Sequence, residues 1–265
     1  SICSITVART ISCVSLKLHS GTSMTDAAVL RHETVAIKRM AFPSTDAELT
    51  RLCREVNLMR GLTHPNLLTI LGVCASNDSL TIITELMTRG SIYHWLHKDC
   101  RGVPPPLTYA LRMLIDTAAA LAHLHTRSPR VAHRDLKTLN LLLAADYSVR
   151  VADFGLSQTL AAADGYERKL TDVCGTPEYF APELVRLAQG DAGEYGAPVD
   201  CWAVGCIVYE LLCGAPPFQA KDEAVLYYKI LENSPDFPKQ SFERLAHGQA
   251  NDAVELIRAL TASDA

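Results

Sequence analysis

The sequence has no surplus of basic residues: 25 Lys+Arg stand against 29 Asp+Glu, for a formal net charge of −4 and a pI near 6.1. The electrostatic footprint that binding to nucleic acid or an anionic membrane surface needs is therefore missing from the totals, and neither partner is expected. No apolar run approaches the roughly 20 residues that cross a bilayer, so no membrane span is expected. The nine cysteines (3, 13, 53, 74, 100, 174, 201, 206 and 213) are odd in number, scattered and without a C-x-x-C pair. That pattern argues against a disulfide framework and against a zinc site, and a reducing, cytoplasmic setting is expected. Internal repeats and low-complexity tracts are also lacking; residues 160–172, "LAAADGYERKLTD", form the most loop-like long segment. Residues 1–20 carry Arg9 and Lys17 inside a mixed Ser/Thr/apolar stretch, which reads as strands rather than a signal peptide. The chain begins without methionine and stops in a helix-like pattern, "AVELIRALTASDA", so it is read as a fragment.

What remains is an ordinary globular composition, 48% hydrophobic and 20% charged over 265 residues, enough for a large core and for two lobes. The first third is strand-rich with one helix. "TVAIKRM" alternates, putting Val35 and Ile37 on one face and Ala36 and Lys38 on the other. A helix follows: Thr45 and Glu48 fit a capping box, and Leu49, Leu52, Val56 and Met59 recur at helical spacing. Glu55 lies on that same stripe, where a carboxylate is costly unless a cation meets it; Lys38 is the candidate partner. "LLTILGVC" and "SLTIITELM" read as two more strands before Gly90 breaks the pattern, which places the lobe boundary near residues 85–89. Beyond it the chain turns helical. The Pro104–Pro106 run blocks helix upstream, Thr108 opens an alanine-rich helix, and "VDCWAVGCIVYELLCG" is apolar almost all round, as in a helix buried inside a large domain.

Polar islands interrupt this apolar background in a fixed order. "VAHRDLKTLNLLL" (131–143) packs His133, Arg134, Asp135, Lys137 and Asn140 between two apolar runs. Together with Lys38 in "VAIK", Glu55, "DFG" at 153–155 and "APE" at 181–183, the set resembles the eukaryotic protein kinase family from about Val29 onward. Each motif alone recurs by chance; five in this order with family-like gaps do not. The resemblance implies an α+β, two-lobed kinase fold. Residues 1–86 would form a β-rich N-lobe with one helix, of which 1–28 match the family poorly. Residues 87–265 would form a mainly helical C-lobe, cut short at its C-terminus. It also implies ATP and Mg²⁺ as cofactors and a protein substrate with a Ser/Thr hydroxyl. Lys38, oriented by Glu55, would hold the α- and β-phosphates, Asp153 and Asn140 the metal ions, and Asp135 the substrate hydroxyl proton, with Lys137 beside the γ-phosphate. Ala36, Thr84 (the gatekeeper), Glu85, Met87 and Leu142 would line the nucleotide site, and Gly21 would cover the phosphates. Phe154 is expected to pack with His133, Met59 and Leu71. Lys137 and "GTPEYFAPE" (175–183) resemble serine/threonine kinases, whereas "TELMTRGSIYHWLH" and "VADFGLS" look closest to the tyrosine-kinase-like branch.

The sequence also departs from the family pattern. The glycine-rich loop should fall on "HSGTSMTD", residues 19–26, where only Gly21 remains and Met24 and Asp26 replace a glycine and an apolar residue. The alternative reading is therefore a catalytically inactive pseudokinase serving as a binding or scaffolding module. Glu183 usually pairs with an arginine in a late helix; Arg258 comes too early for that. A buried Glu183 without a cation would cost about 3–5 kcal/mol. Thr159, Tyr166 and Thr171 lie in the activation segment as acceptors for an upstream kinase whose phosphate would pair with Arg134. Asp172 reads either as a solvated loop acid or as a built-in substitute for that phosphate.

Overall fold

The computed structural model describes residues 12–20, 23–30, 33–41, 45–75, 79–161, 168–233, 235–243, 245 and 248–262. Five strands pair antiparallel in the order β1-β2-β3-β5-β4: β1 (Ser12–Ser20), β2 (Ser23–Leu30), β3 (Glu33–Ala41), β4 (Ile70–Ala75) and β5 (Ser79–Glu85). The pleat of β3 sorts its side chains as the alternation predicts. Val35 and Ile37 pack with Ile83 in one small cluster. Ala36 and Lys38 are in register with Thr84 and Ile82, and directly opposed residues share a face. On that face Ile82, Leu80 and Val73 meet Leu52 and Val56 of α1 (Asp46–Arg60), so Lys38 lies on the helix side of the sheet. The predicted capping box starts α1: Thr45 Oγ1 accepts from the Glu48 amide at 3.2 Å, and Glu48 Oε2 accepts from the Thr45 amide at 3.4 Å.

Residues 86–91 lead from β5 into α2 (Ile92–His94), which continues as a wider turn over Trp95–Asp99. Then come α3 (Leu107–Thr126), β6 (Val131–Ala132), β7 (Leu141–Leu143), β8 (Val149–Val151) and β9 (Gln158–Thr159), with β6 paired to β9 and β7 to β8. The last elements are α4 (Pro182–Ala188), α5 (Pro198–Cys213), α6 (Glu223–Glu232), α7 (Lys239–Glu243) and α8 (Gln249–Leu260). Thr108 does not open α3. The helix begins one residue earlier, at Leu107, with the Pro106 carbonyl accepting from the amides of Tyr109 and Ala110, and Thr108 sits exposed in the first turn. The all-round apolar helix is α5, buried along nearly its whole length. Gly205 lets α8 dock against it: a Cβ there would lie 2.6 Å from Thr261 Cγ2. Met59, Leu67 and Phe154 join one core with α3 and α5, which ties α1 to the helical part of the molecule.

Candidate active site

The polar segment begins at His133, just after β6, and is fastened from beneath by Asp200 in the first turn of α5. Asp200 is 1% exposed. Its Oδ2 accepts from the His133 amide and from His125 Nε2 of α3, and its Oδ1 accepts from the Arg134 amide, all at 2.8 Å. Burial alone would lower the pKa of His125, but the hydrogen bond to Asp200 and its charge raise it to about 9, so the ring is a cation at neutral pH. The fully buried His133 ring donates to the Ala152 carbonyl at 3.0 Å and meets Phe154 edge-on, with centroids 5.1 Å apart.

Above this base, three side chains converge on Asp135. Lys137 Nζ donates to Asp135 Oδ2 (2.9 Å) and to Thr176 Oγ1 (2.6 Å); Thr176 Oγ1 donates to Asp135 Oδ1 (2.7 Å). Asn140 Nδ2 donates to the Asp135 carbonyl (2.8 Å) and to Oδ2 (3.2 Å). The result is a carboxyl group held in one orientation by three side chains, the positioning a general base requires. Sequence reasoning missed Thr176; the motif "GTPEYFAPE" contains it, but nothing in its spacing marks it as a partner of Asp135.

Asp153 adopts a left-handed backbone, φ +62°, an arrangement found chiefly where the surroundings enforce it. It leaves the Asp153 side exposed and Phe154 buried in the core with Met59. Leu71, expected beside Phe154, is 42% exposed. Ile70 takes that place instead, packed against both the main core and the α1–sheet cluster. The point where a Cβ on Gly155 would sit lies 3.3 Å from Asp153 Oδ1 and 3.5 Å from Glu55 Oε2, so the two carboxylates converge beside this glycine. The Ala152 amide donates to the Asn140 carbonyl at 2.9 Å, which links Asn140 to the residue preceding Asp153. With Nδ2 of Asn140 committed to Asp135, its amide oxygen and the Asp153 carboxylate make an oxygen-only pair. That pair suits Mg²⁺, which takes few protein ligands and completes its shell with water and phosphate. Among the described residues no group of three or more His, Cys, Asp or Glu could hold a metal without such added ligands.

On the opposite wall, Ala36 and Thr84 are cross-strand partners, and Thr84 Oγ1 donates to the Glu85 carbonyl at 3.2 Å. The Glu85 carboxylate accepts from the Thr69 amide at 2.9 Å and lies 3.7 Å from Arg150 Nε, and the Glu85 amide donates to the Thr69 carbonyl at 3.2 Å, which leaves the second lone pair of the Glu85 carbonyl for a ligand. Met87 is buried, and Leu142 is half-buried between the buried Leu141 and Leu143, on the other side of their short strand. Gly21 lies outside the described residues. Of the strands flanking it, Asp26 is in register with Ile37 and Thr25 with Lys38.

The segment leading to "GTPEYFAPE" is anchored by Arg134, whose side chain is 5% exposed. Nη2 donates to Asp172 Oδ2 at 2.5 Å and Nη1 to Oδ1 at 3.3 Å, a bidentate pair, and Nε donates to Cys174 Sγ at 3.1 Å. Tyr195 Oη donates to the Asp172 carbonyl at 2.7 Å. Gly175, at φ +111°, lets the segment run against the polar loop; a Cβ there would lie 2.6 Å from the Arg134 carbonyl oxygen. Thr171 is exposed, Thr159 is half-buried in β9, and Tyr166 lies outside the described residues. Glu183 is only half-buried, so the expected cost of a buried lone carboxylate does not arise, and Arg258 stacks over Phe237 instead, 5.6 Å from the ring centroid.

Comparison with known proteins adds a family and relatives. The protein kinase domain family matches residues 20–265. The chain is 32% identical over 232 residues to "Probable serine/threonine-protein kinase fhkE" of Dictyostelium discoideum, covering 86% of this chain and 31% of that protein. It is 33% identical over 206 residues to a "Probable myosin light chain kinase" of the same organism, covering 76% and 55%. It is 32% identical over 209 residues to "Cell cycle serine/threonine-protein kinase CDC5/MSD2" of Saccharomyces cerevisiae, covering 78% and 28%. The chain thus spans between 28% and 55% of the length of these relatives.

Proposed function

The chain belongs to the protein kinase family, and on that premise we propose that it transfers the γ-phosphate of Mg-ATP to serine or threonine hydroxyls of proteins. The observation that carries this reading is the bonded cluster of Asp135, Lys137, Asn140 and Thr176. Phosphoryl transfer asks the protein mainly for positioning and for neutralisation of developing charge. Asp135, fixed by three donors, accepts the hydroxyl proton. Lys137, 2.9 Å from it, supplies a cation where the transferred group passes. Lys38, on the helix side of the sheet, holds the α- and β-phosphates, and Glu55, whose carboxylate lies beside Gly155 and Asp153, orients it. Asp153 and the amide oxygen of Asn140 would hold Mg²⁺, which would supply positive charge to offset that of the phosphates. Ala36, Thr84, Met87, Leu142 and the backbone of Glu85 surround the adenine. The pairing of Asp172 with Arg134 supports basal activity before phosphorylation, and exposed Thr171 is the acceptor open to an upstream kinase.

A pseudokinase is favoured by one observation only, the glycine-poor segment 19–26. Transfer of labelled γ-phosphate to the chain itself and to a serine-rich protein, beside an Asp153→Ala control shown to melt cooperatively, separates the two. Transfer that is lost in the control is the expected result. No transfer by folded wild-type chain would make the pseudokinase the better reading.

A further inference from the structure

A groove of about 760 Å³ opens beside the Asp135 cluster, with Lys137 and Thr176 at its inner end. Beneath its wall lies Glu210 of α5, a fully buried carboxylate. Such a group is costly to bury unless several donors satisfy it. Here the donors are all groove-wall side chains: His97 Nε2 (2.8 Å) and Thr138 Oγ1 (3.1 Å) donate to Oε1, and Tyr179 Oη (2.5 Å) donates to Oε2. Burial and the Glu210 charge push the Tyr179 hydroxyl well above its ordinary pKa, which keeps it a donor. The Tyr93 ring packs against the His97 ring at a tilt of 45° with centroids 4.5 Å apart, and both side chains line the groove. The acid best placed to attract a basic side chain is thus closed off by His97 and Tyr93. Of the residues that line the groove, Glu178 is the one acid, set against Lys137 and Lys221, and Leu139 and Pro216 add apolar wall.

We propose that His97 sets acceptor specificity: by occupying Glu210 it makes the groove take serine/threonine segments with apolar, uncharged flanks and turn away basic ones. The proposal rests on the phosphotransfer reading for the word acceptor, but its test does not need transfer. Two fluorescent peptides with alanine at the acceptor position, one with leucine/valine flanks and one with arginine flanks, are titrated with the full chain by anisotropy in the absence of nucleotide. Wild type is expected to bind the aliphatic peptide about fivefold more tightly or better, the scale of one or two exposed charge contacts. His97→Ala narrows or reverses the ratio, whereas His97→Gln, which keeps a donor for Glu210, preserves it. Tyr93→Ala, a change at an exposed ring, narrows it without removing a partner of Glu210, and decides the matter should His97→Ala fail to fold. Equal or stronger binding of the arginine peptide by wild type overturns the proposal. So does an unchanged ratio in the folded variants, or no binding of either peptide up to millimolar concentration. Failure of phosphate transfer, by contrast, would overturn the reading of function and leave these ratios standing.

Discussion

Thr176 holds Asp135 from the side opposite Asn140, and its hydroxyl bonds both members of the Lys137–Asp135 pair. Removing it leaves the charges in place but frees the carboxylate to rotate, and misplacement of a reacting group by a fraction of its reach is penalised steeply. Thr176→Ala is therefore expected to lower kcat about ten- to a hundredfold with little change in KM for ATP, whereas Thr176→Ser stays within about threefold. Steady-state kinetics on both variants check this; an alanine variant with wild-type kcat would remove Thr176 from the site. The residues around it differ in how legible they were. Asp135, Lys137, Asn140 and Asp153 announce themselves as polar groups on apolar flanks. Thr176 does not, because a loop threonine has ready local uses and its partner lies 41 positions away. Leu71 was mistaken for Ile70 because both are apolar in one continuous run, and only the pleat decides which of two neighbours faces inward.

Among the elements, those with a strong local signal were read correctly: α1 from its capping box, β3 from its alternation, α5 from apolarity on every side. The start of α3 lies one residue before Thr108, because the chain enters the helix directly from Pro106 with no side-chain cap to mark the boundary. The activation segment shows a limit of a different kind. Its sequence left Asp172 with two meanings, and the bidentate contact with a nearly buried Arg134 favours the one in which the carboxylate substitutes for a phosphate. Asp172 is itself 64% exposed, which discounts the pair relative to a buried one. Asp172→Asn, which keeps shape and loses charge, is expected to lower turnover of unphosphorylated protein about threefold or more without changing the cooperativity of melting. Unchanged turnover would mean that the charge of Asp172 is dispensable and that the contacts of Arg134 with Cys174, of Thr176 with Lys137 and Asp135, and of Tyr195 hold the segment without it.

At the scale of the whole molecule, one buried carboxylate fastens three parts of the chain: Asp200 of α5 bonds the His125 ring of α3 and the amides of His133 and Arg134. Sequence periodicity finds each helix but cannot find this junction, because its members are separated by up to 75 positions and none stands out locally. The junction titrates. His125 has a folded pKa near 9 against 6.5 for the free side chain, so the folded state binds the proton more tightly than the unfolded one. Its contribution is complete below about pH 6.5 and is lost as pH rises through about 9, amounting to roughly 3 kcal/mol at most. Cysteine and tyrosine groups titrate in or above the same window, so the informative quantity is a difference. Wild type is expected to lose stability to denaturant between about pH 6 and pH 10 by roughly that amount more than His125→Gln, which has no proton to release. Parallel curves for the two proteins would mean that folding does not raise the proton affinity of the ring and that its bond to Asp200 is that of a neutral imidazole donating from Nε2.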